Sequence, residues 1–211
     1  MPRRILDPID RISEILLGLI MVLTSTNTIS VIGAGRPDVQ TMIIGALGCN
    51  LAWGVIDGAL YLFGCLGERG RSYQALRALR KERDAGAARS TIAGLLPPPV
   101  AAVASAQQLD AMRQTLLALP EARSHITRDE KLGALAICFL VFLSTLPPVL
   151  PFLFMTDVQP ALRISNGIAI AMLFACGYAF AQHTGLRPWR SGLMMVAFGC
   201  VMVAVAVALG G

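Results

Sequence analysis

Thr41-Met-Ile-Ile-Gly-Ala-Leu-Gly-Cys-Asn-Leu-Ala-Trp-Gly-Val-Ile-Asp-Gly-Ala-Leu-Tyr-Leu-Phe63 is the stretch that decides the fold. A helix needs about 20 apolar residues to cross the hydrocarbon core of a bilayer, and this run supplies them. Its one charged side chain is Asp57. A carboxylate at such a depth costs about 2.5–3.5 kcal/mol on insertion scales, so it persists where it faces protein or water and serves a purpose there. Asn50 lies two turns before Asp57 and Tyr61 one turn after it, on the same helical face. That polar stripe turns away from lipid.

The rest of the chain reads the same way. Hydrophobic residues make up 55% and charged residues 15%, with a mean hydropathy of +0.64. A soluble domain of this length does not have that balance. Apolar runs at 12–32, 41–64, 132–154, 161–182 and 191–210 predict an all-α, polytopic membrane protein with five transmembrane helices. Arg3 and Arg4 precede the first run as they would a secretory signal. The run is too long for one, however, and Asp7, Asp10 and Glu14 occupy its start. With no convincing small-x-small cleavage site, it is expected to stay as an uncleaved span.

Basic residues set the expected orientation. They crowd the 1–11 tail, the 65–131 segment and the 183–190 turn, while the alternate loops hold only Arg36 and Arg163. Positive-inside reasoning places the N-terminus and the basic loops in the cytoplasm and the C-terminus outside, in a multi-pass membrane protein. An odd number of spans gives the same result. The net charge of +5 is explained by this topology and by contact with anionic membrane lipid, so no nucleic-acid partner is expected. The five cysteines are single and dispersed, which suits packed thiols better than metal ligation or disulfides.

Three segments follow: 1–66 with the first two transmembrane helices, 67–130 as a cytoplasmic helical insert, and 131–211 with the last three. In the insert, Ser72 is expected to cap a helix carrying Tyr73, Leu76 and Leu79, with Gly86, Gly94 and Pro97-Pro98-Pro99 interrupting it. A second helix would carry Leu109, Met112, Leu116 and Leu119 and end at Pro120. Thr127-Arg-Asp-Glu130 fits a capping box that opens the third span. Gly54 and Gly58 flank Asp57 and allow close helix approach. Pro147, Pro148 and Pro151 remove backbone donors from the third span, either at an ordinary helix end or where the helix meets protein or water.

The polar residues of the first two spans carry the chemistry. Asp7, Asp10 and Glu14 follow at helical spacing, and the same face continues through Gly18, Met21, Ser25 and Thr28. An antiparallel partner brings Asp57 to the depth of Glu14. Glu14 and Asp57, with Asp10, Met21 and Asn50, are therefore the candidate metal ligands: hard oxygens and one soft sulfur, suited to a ferrous or manganous ion. A carboxyl in apolar surroundings holds a proton that an arriving cation displaces, which permits proton exchange. Asp7 and Asp10 also suit a simpler role at the N-terminus of the first helix. Asn27, Asn166 and His183 read as interhelical or interfacial residues. No nucleophile elbow, Walker loop or zincin spacing is present, and an enzyme is not expected.

Two spans, a helical insert and three more spans resemble the vacuolar iron transporter family, including its bacterial branch. Three stretches carry the likeness: Gly48-Cys-Asn-Leu-Ala-Trp-Gly-Val-Ile-Asp-Gly58, Leu146-Pro-Pro-Val-Leu-Pro-Phe152, and Arg190-Ser-Gly-Leu-Met-Met-Val-Ala-Phe-Gly-Cys200. The resemblance implies a homodimer that exports ferrous or related divalent ions from the cytoplasm in exchange for protons. The ion is then substrate, and no tightly bound cofactor is expected. Where the family's second helix bears a methionine four residues before its acid, this chain has Trp53 before Asp57. Asp10 or Glu14 stands in for the family's first-helix aspartate. The family's insert glutamates are replaced here by Arg77-Ala-Leu-Arg80-Lys-Glu-Arg83, and an arginine-rich surface repels cations. The insert is accordingly not expected to collect metal. The alternative reading is a non-transporting membrane scaffold or regulatory protein that keeps the transporter fold; a second is a transporter of another solute stacked on Trp53.

Overall fold

The computed structural model describes residues 6–32, 38–119 and 125–210. Every regular element among them is an α-helix: α1 (Pro8–Ile32), α2 (Val39–Lys81), α3 (Ala85–Leu95), α4 (Pro98–Val103), α5 (Ala106–Leu117), α6 (Arg128–Phe154), α7 (Val158–Thr184) and α8 (Pro188–Gly210). Five of these, α1, α2, α6, α7 and α8, are long and apolar enough to cross a membrane. They are the five runs read from the sequence. Local chemistry sets several of their ends. Asp38 Oδ1 accepts from the Thr41 backbone N–H at 2.6 Å and caps α2. Gly185 takes the left-handed conformation (φ 73°) that stops α7, and Pro188 opens α8.

Contacts divide the chain into two compact units, Met1–Tyr61 with Arg128–Gly211, and Leu62–Thr127. In the first unit α1 is central. Its Leu16, Leu19 and Leu23 pack on Ala169 and Leu173 of α7, with Met195 and Val203 of α8 behind them. Val22 meets Ala46 of α2 and Val149 of α6. Met42 of α2 joins Phe152 of α6 and Ala161 and Leu162 of α7. In lipid such apolar contacts gain little from leaving water, so close packing by small residues has to supply the association. Gly177 of α7 lies against Ser191 and Met195, and Gly192 of α8 against the Phe174 ring. Phe174 in turn meets Trp189 edge-on, with ring centroids 5.0 Å apart. Between α1 and α7, the buried Asn27 and the half-buried Asn166 exchange amide hydrogen bonds of 3.1 and 3.2 Å. They are interhelical bonders, as their sequence positions suggest.

The second unit is a small helical core. Leu79 from the C-terminal end of α2, Ala88 and Ile92 of α3 and Leu109 of α5 are buried together. Asp84 caps α3 through the Ala87 N–H at 2.7 Å, and Ser105 with Gln108 forms a reciprocal capping box on α5. Arg89 holds Asp110 through two charge-assisted hydrogen bonds of 2.8 and 2.7 Å, which keep the Asp110 carboxyl below the ordinary aspartate range. Three further arginines donate to carbonyl oxygens: Arg80 to that of Leu119, Arg113 to that of Glu82 and Arg69 to that of His125.

The insert differs from its sequence reading in detail. No new helix begins at Ser72; its hydroxyl donates to the Glu68 carbonyl at 3.0 Å inside α2, which runs unbroken for 43 residues. Gly64, Gly67 and Gly70 weaken that segment by about 1 kcal/mol each but cannot stop a helix as proline does. Gly86 and Gly94 lie within α3; the break falls at 82–84 instead. Of the three prolines, Pro98 opens α4, where its missing N–H costs nothing. The expected stop at Pro120 lies outside the described residues, and α5 ends before it. The third span does begin at Arg128, directly after Thr127.

Candidate cation site

Three helices of the first unit bring the polar stripe of α2 to face its neighbours. Gly54 lies against Cys138 of α6, where an added Cβ would stand 2.9 Å from the carbonyl oxygen; at Gly58 the distance to the Ala134 carbonyl would be 2.8 Å. Tyr61 lies against Gly133. These pairs set α2 antiparallel to α6, with backbones nearly touching on both sides of Asp57. On α1, Gly18 is wedged against Val141 and Ser144 of α6, a Cβ there falling 2.6 Å from the Val141 carbonyl oxygen. The glycines thus draw α1 and α2 onto one face of α6.

Glu14, one turn before Gly18, ends up beside the α2 stripe. It is half-buried and within reach of the charges of Asp57 and Asp10. Asp57 is half-buried, and its Oδ2 is buried without a hydrogen-bond partner. Asp10 is exposed, in the first turn of α1. Glu14 thus has an acid within electrostatic reach on each side, Asp57 on α2 and Asp10 on its own helix. Grouped negative charges with an unpartnered buried oxygen call for a proton or a cation between them.

Met21 and Asn50 do not join this group. Each lies seven residues along its helix from Glu14 or Asp57, a rise of about 10 Å that sets it two turns away from the acids. Met21 is half-buried. Asn50 is fully buried: its Nδ2 donates to the Ala46 carbonyl at 3.1 Å, and its Oδ1 has no partner. Geometry makes these residues a separate level of the bundle.

Among the described residues, no three His, Cys, Asp or Glu side chains stand close enough to hold one metal ion. Two carboxylates leave most of a six-coordinate shell to water, to neutral oxygens or to a second chain. Sequence reasoning missed Gly18 as a packing point and Ser144 opposite it. The available signal was the four-residue step from Glu14 to a glycine, the same step that pairs Gly54 with Gly58.

Comparison with known proteins agrees with this architecture. Vacuolar iron transporter 1 of Oryza sativa subsp. japonica is 31% identical over 74 residues, which is 35% of this chain and 29% of that protein. The match spans under a third of that relative's length. The family model for the VIT family matches residues 68–211, from the end of α2 through α8. With well over half of its length matched to that model, the chain belongs to the VIT family.

Proposed function

We propose that this protein is a transporter, not an enzyme, that moves divalent metal ions of the iron or manganese class out of the cytoplasm in exchange for protons. The observation that carries the reading is the buried, unpartnered Asp57 oxygen on α2, with Glu14 of α1 within electrostatic reach. A cation entering between them replaces protons on carboxyls held in apolar surroundings, and its departure lets the protons return. Asp10, exposed on the same face of α1, meets the ion first. Family membership and the name of the plant relative support the same activity. The N-terminus and the basic insert lie on the cytoplasmic side of a bacterial inner membrane in this proposal, following the distribution of Lys and Arg. A homodimer supplies the ligands that one chain lacks.

The test is flux in proteoliposomes. Purified protein should move Mn²⁺ down its gradient with counter-movement of protons, read by metal- and pH-sensitive dyes on opposite sides of the bilayer. Asp57→Asn should abolish both signals. Absence of metal flux with the wild-type chain would sink the transport reading. The scaffold alternative would then stand, as Trp53 and the absence of a three-carboxylate cluster among the described residues favour.

A further inference from the structure

Two turns from Asp57 the bundle holds a second polar level, and it carries no charge. Asn50 is fully buried with its Oδ1 unpartnered. Gly54 against Cys138, and Ala46 clustered with Val149, place Asn50 level with residues 141–145 of the antiparallel α6. Thr145 lies two turns after Cys138 and one before Val149, so it shares the stripe of α6 that packs on α2. It is fully buried, and its hydroxyl donates to the Val141 carbonyl at 3.2 Å. Ser144, also buried and seated against Gly18 of α1, donates to the same carbonyl at 2.7 Å. With their hydrogens committed down the helix, both hydroxyls keep oxygen lone pairs to offer.

The prolines add to the set. Pro147 and Pro148 sit inside α6 and have no amide hydrogen, so the Leu143 and Ser144 carbonyls have no donor at the usual i+4 position. One level of the bundle therefore holds the unpartnered Asn50 amide oxygen, the Ser144 and Thr145 hydroxyls, and two backbone carbonyls that lack their usual i+4 donor. Backbone and side-chain acceptors in that state are tolerated at membrane depth where they line a polar path. Resting on the transport reading above, we propose that Asn50, Ser144, Thr145 and the carbonyls freed by Pro147 and Pro148 form a second, uncharged station for the same divalent cation. Neutral oxygens hold a divalent ion more weakly than carboxylates do. An ion handed from Glu14 and Asp57 to this level can then leave, which conduction through serial sites requires.

The experiment compares Mn²⁺ binding, by calorimetry on the full chain in detergent, with Mn²⁺ flux in proteoliposomes and with thermal stability. Asn50→Leu should bind Mn²⁺ within about threefold of wild type, since the carboxylates remain, yet lose at least about tenfold in flux. Its Tm should be unchanged or higher, because the substitution removes a buried acceptor that has no partner. Asn50→Asp puts a carboxylate at this level and should tighten Mn²⁺ binding while slowing flux. Pro148→Ala restores an amide donor to the Ser144 carbonyl and should slow flux without weakening binding. Flux within about twofold of wild type in both Asn50→Leu and Pro148→Ala overturns the station and leaves the transport reading intact. A fall in Tm that tracks the loss of flux across these variants also overturns it, assigning Asn50 to packing. No flux in the wild-type chain removes the transport reading and the station together.

Discussion

Gly54 of α2 lies against the backbone of Cys138 in α6, so that a Cβ on Gly54 would stand 2.9 Å from the Cys138 carbonyl oxygen and 3.2 Å from its Cα. The obstacle is main chain and cannot rotate aside. Gly54→Val should therefore lower stability by about 1–3 kcal/mol, the usual effect of overpacking, seen as a Tm decrease of several degrees in detergent. Gly18→Ala should behave similarly because the Val141 carbonyl oxygen lies 2.6 Å from the new methyl carbon. Gly64→Ala is the control: nothing stands within 4 Å of its Cβ position, and helix propensity favours alanine by about 1 kcal/mol.

Asp57 is a costly residue for the fold to keep. Its Oδ2 is buried without a partner, and a second acid stands nearby on α1. Replacement by leucine removes an orphaned acceptor and a like charge at once. Asp57→Leu should raise Tm by roughly 2–4 °C, the change expected for about 1 kcal/mol in a chain of this size. In a thermal-shift titration Mn²⁺ should stabilise the wild-type protein and leave this variant unchanged.

Asn27 and Asn166 satisfy each other across α1 and α7. Asn27→Leu strands the Asn166 amide in apolar surroundings and should cost about 0.6–2 kcal/mol. The double variant Asn27→Leu/Asn166→Leu should recover part of that loss. A double-mutant cycle read by unfolding in mixed micelles measures the coupling, and purely additive effects would show that the pair contributes nothing as a pair.

The Arg89–Asp110 pair gives the insert an acid-sensitive joint. The Arg89 hydrogen bond holds the folded carboxyl below the ordinary aspartate value of 3.8. Stability from the pair is fully present above that ordinary value and is lost as pH falls through the lower, folded value. Amide hydrogen exchange in α3 and α5 should therefore accelerate beyond its intrinsic pH trend on acidification below about pH 4, and Asp110→Asn should flatten the profile. The effect should be modest and weaker in high salt, because both side chains are open to water.

The spans were legible because bilayer thickness converts directly into run length, and none of the five runs needed tertiary information. Electrostatic reach between Glu14 and Asp57 follows from an acid every three or four residues on one helix and an acid amid glycines on the next. The insert was harder to read. Gly64, Gly67 and Gly70 look like punctuation, yet α2 passes through all three because its Leu79 finds a core with Ile92 and Leu109. Packing outweighed propensity there. Asn50 and Met21 were grouped with the carboxylates by shared helical face, but a face is a line, not a point, and seven residues of rise separate them from the acids. Ser144 and Thr145 gave no signal of their own, because a hydroxyl in an apolar helix normally bonds back to its own turn, as both do here.

The three prolines of α6 bear on how the chain is made as well as on what it does. A newly inserted helix with missing rungs exposes bare carbonyl oxygens to oil, at several kcal/mol for each group left unsatisfied. The C-terminal half of α6 is therefore a poor tenant of the bilayer by itself. Ser144, Thr145, Pro148 and Phe152 become sheltered only when α1, α2 and α7 have arrived. Assembly must then finish at α6, and lesions in the neighbours that close around it should surface first as degraded newborn chains instead of slow mature ones.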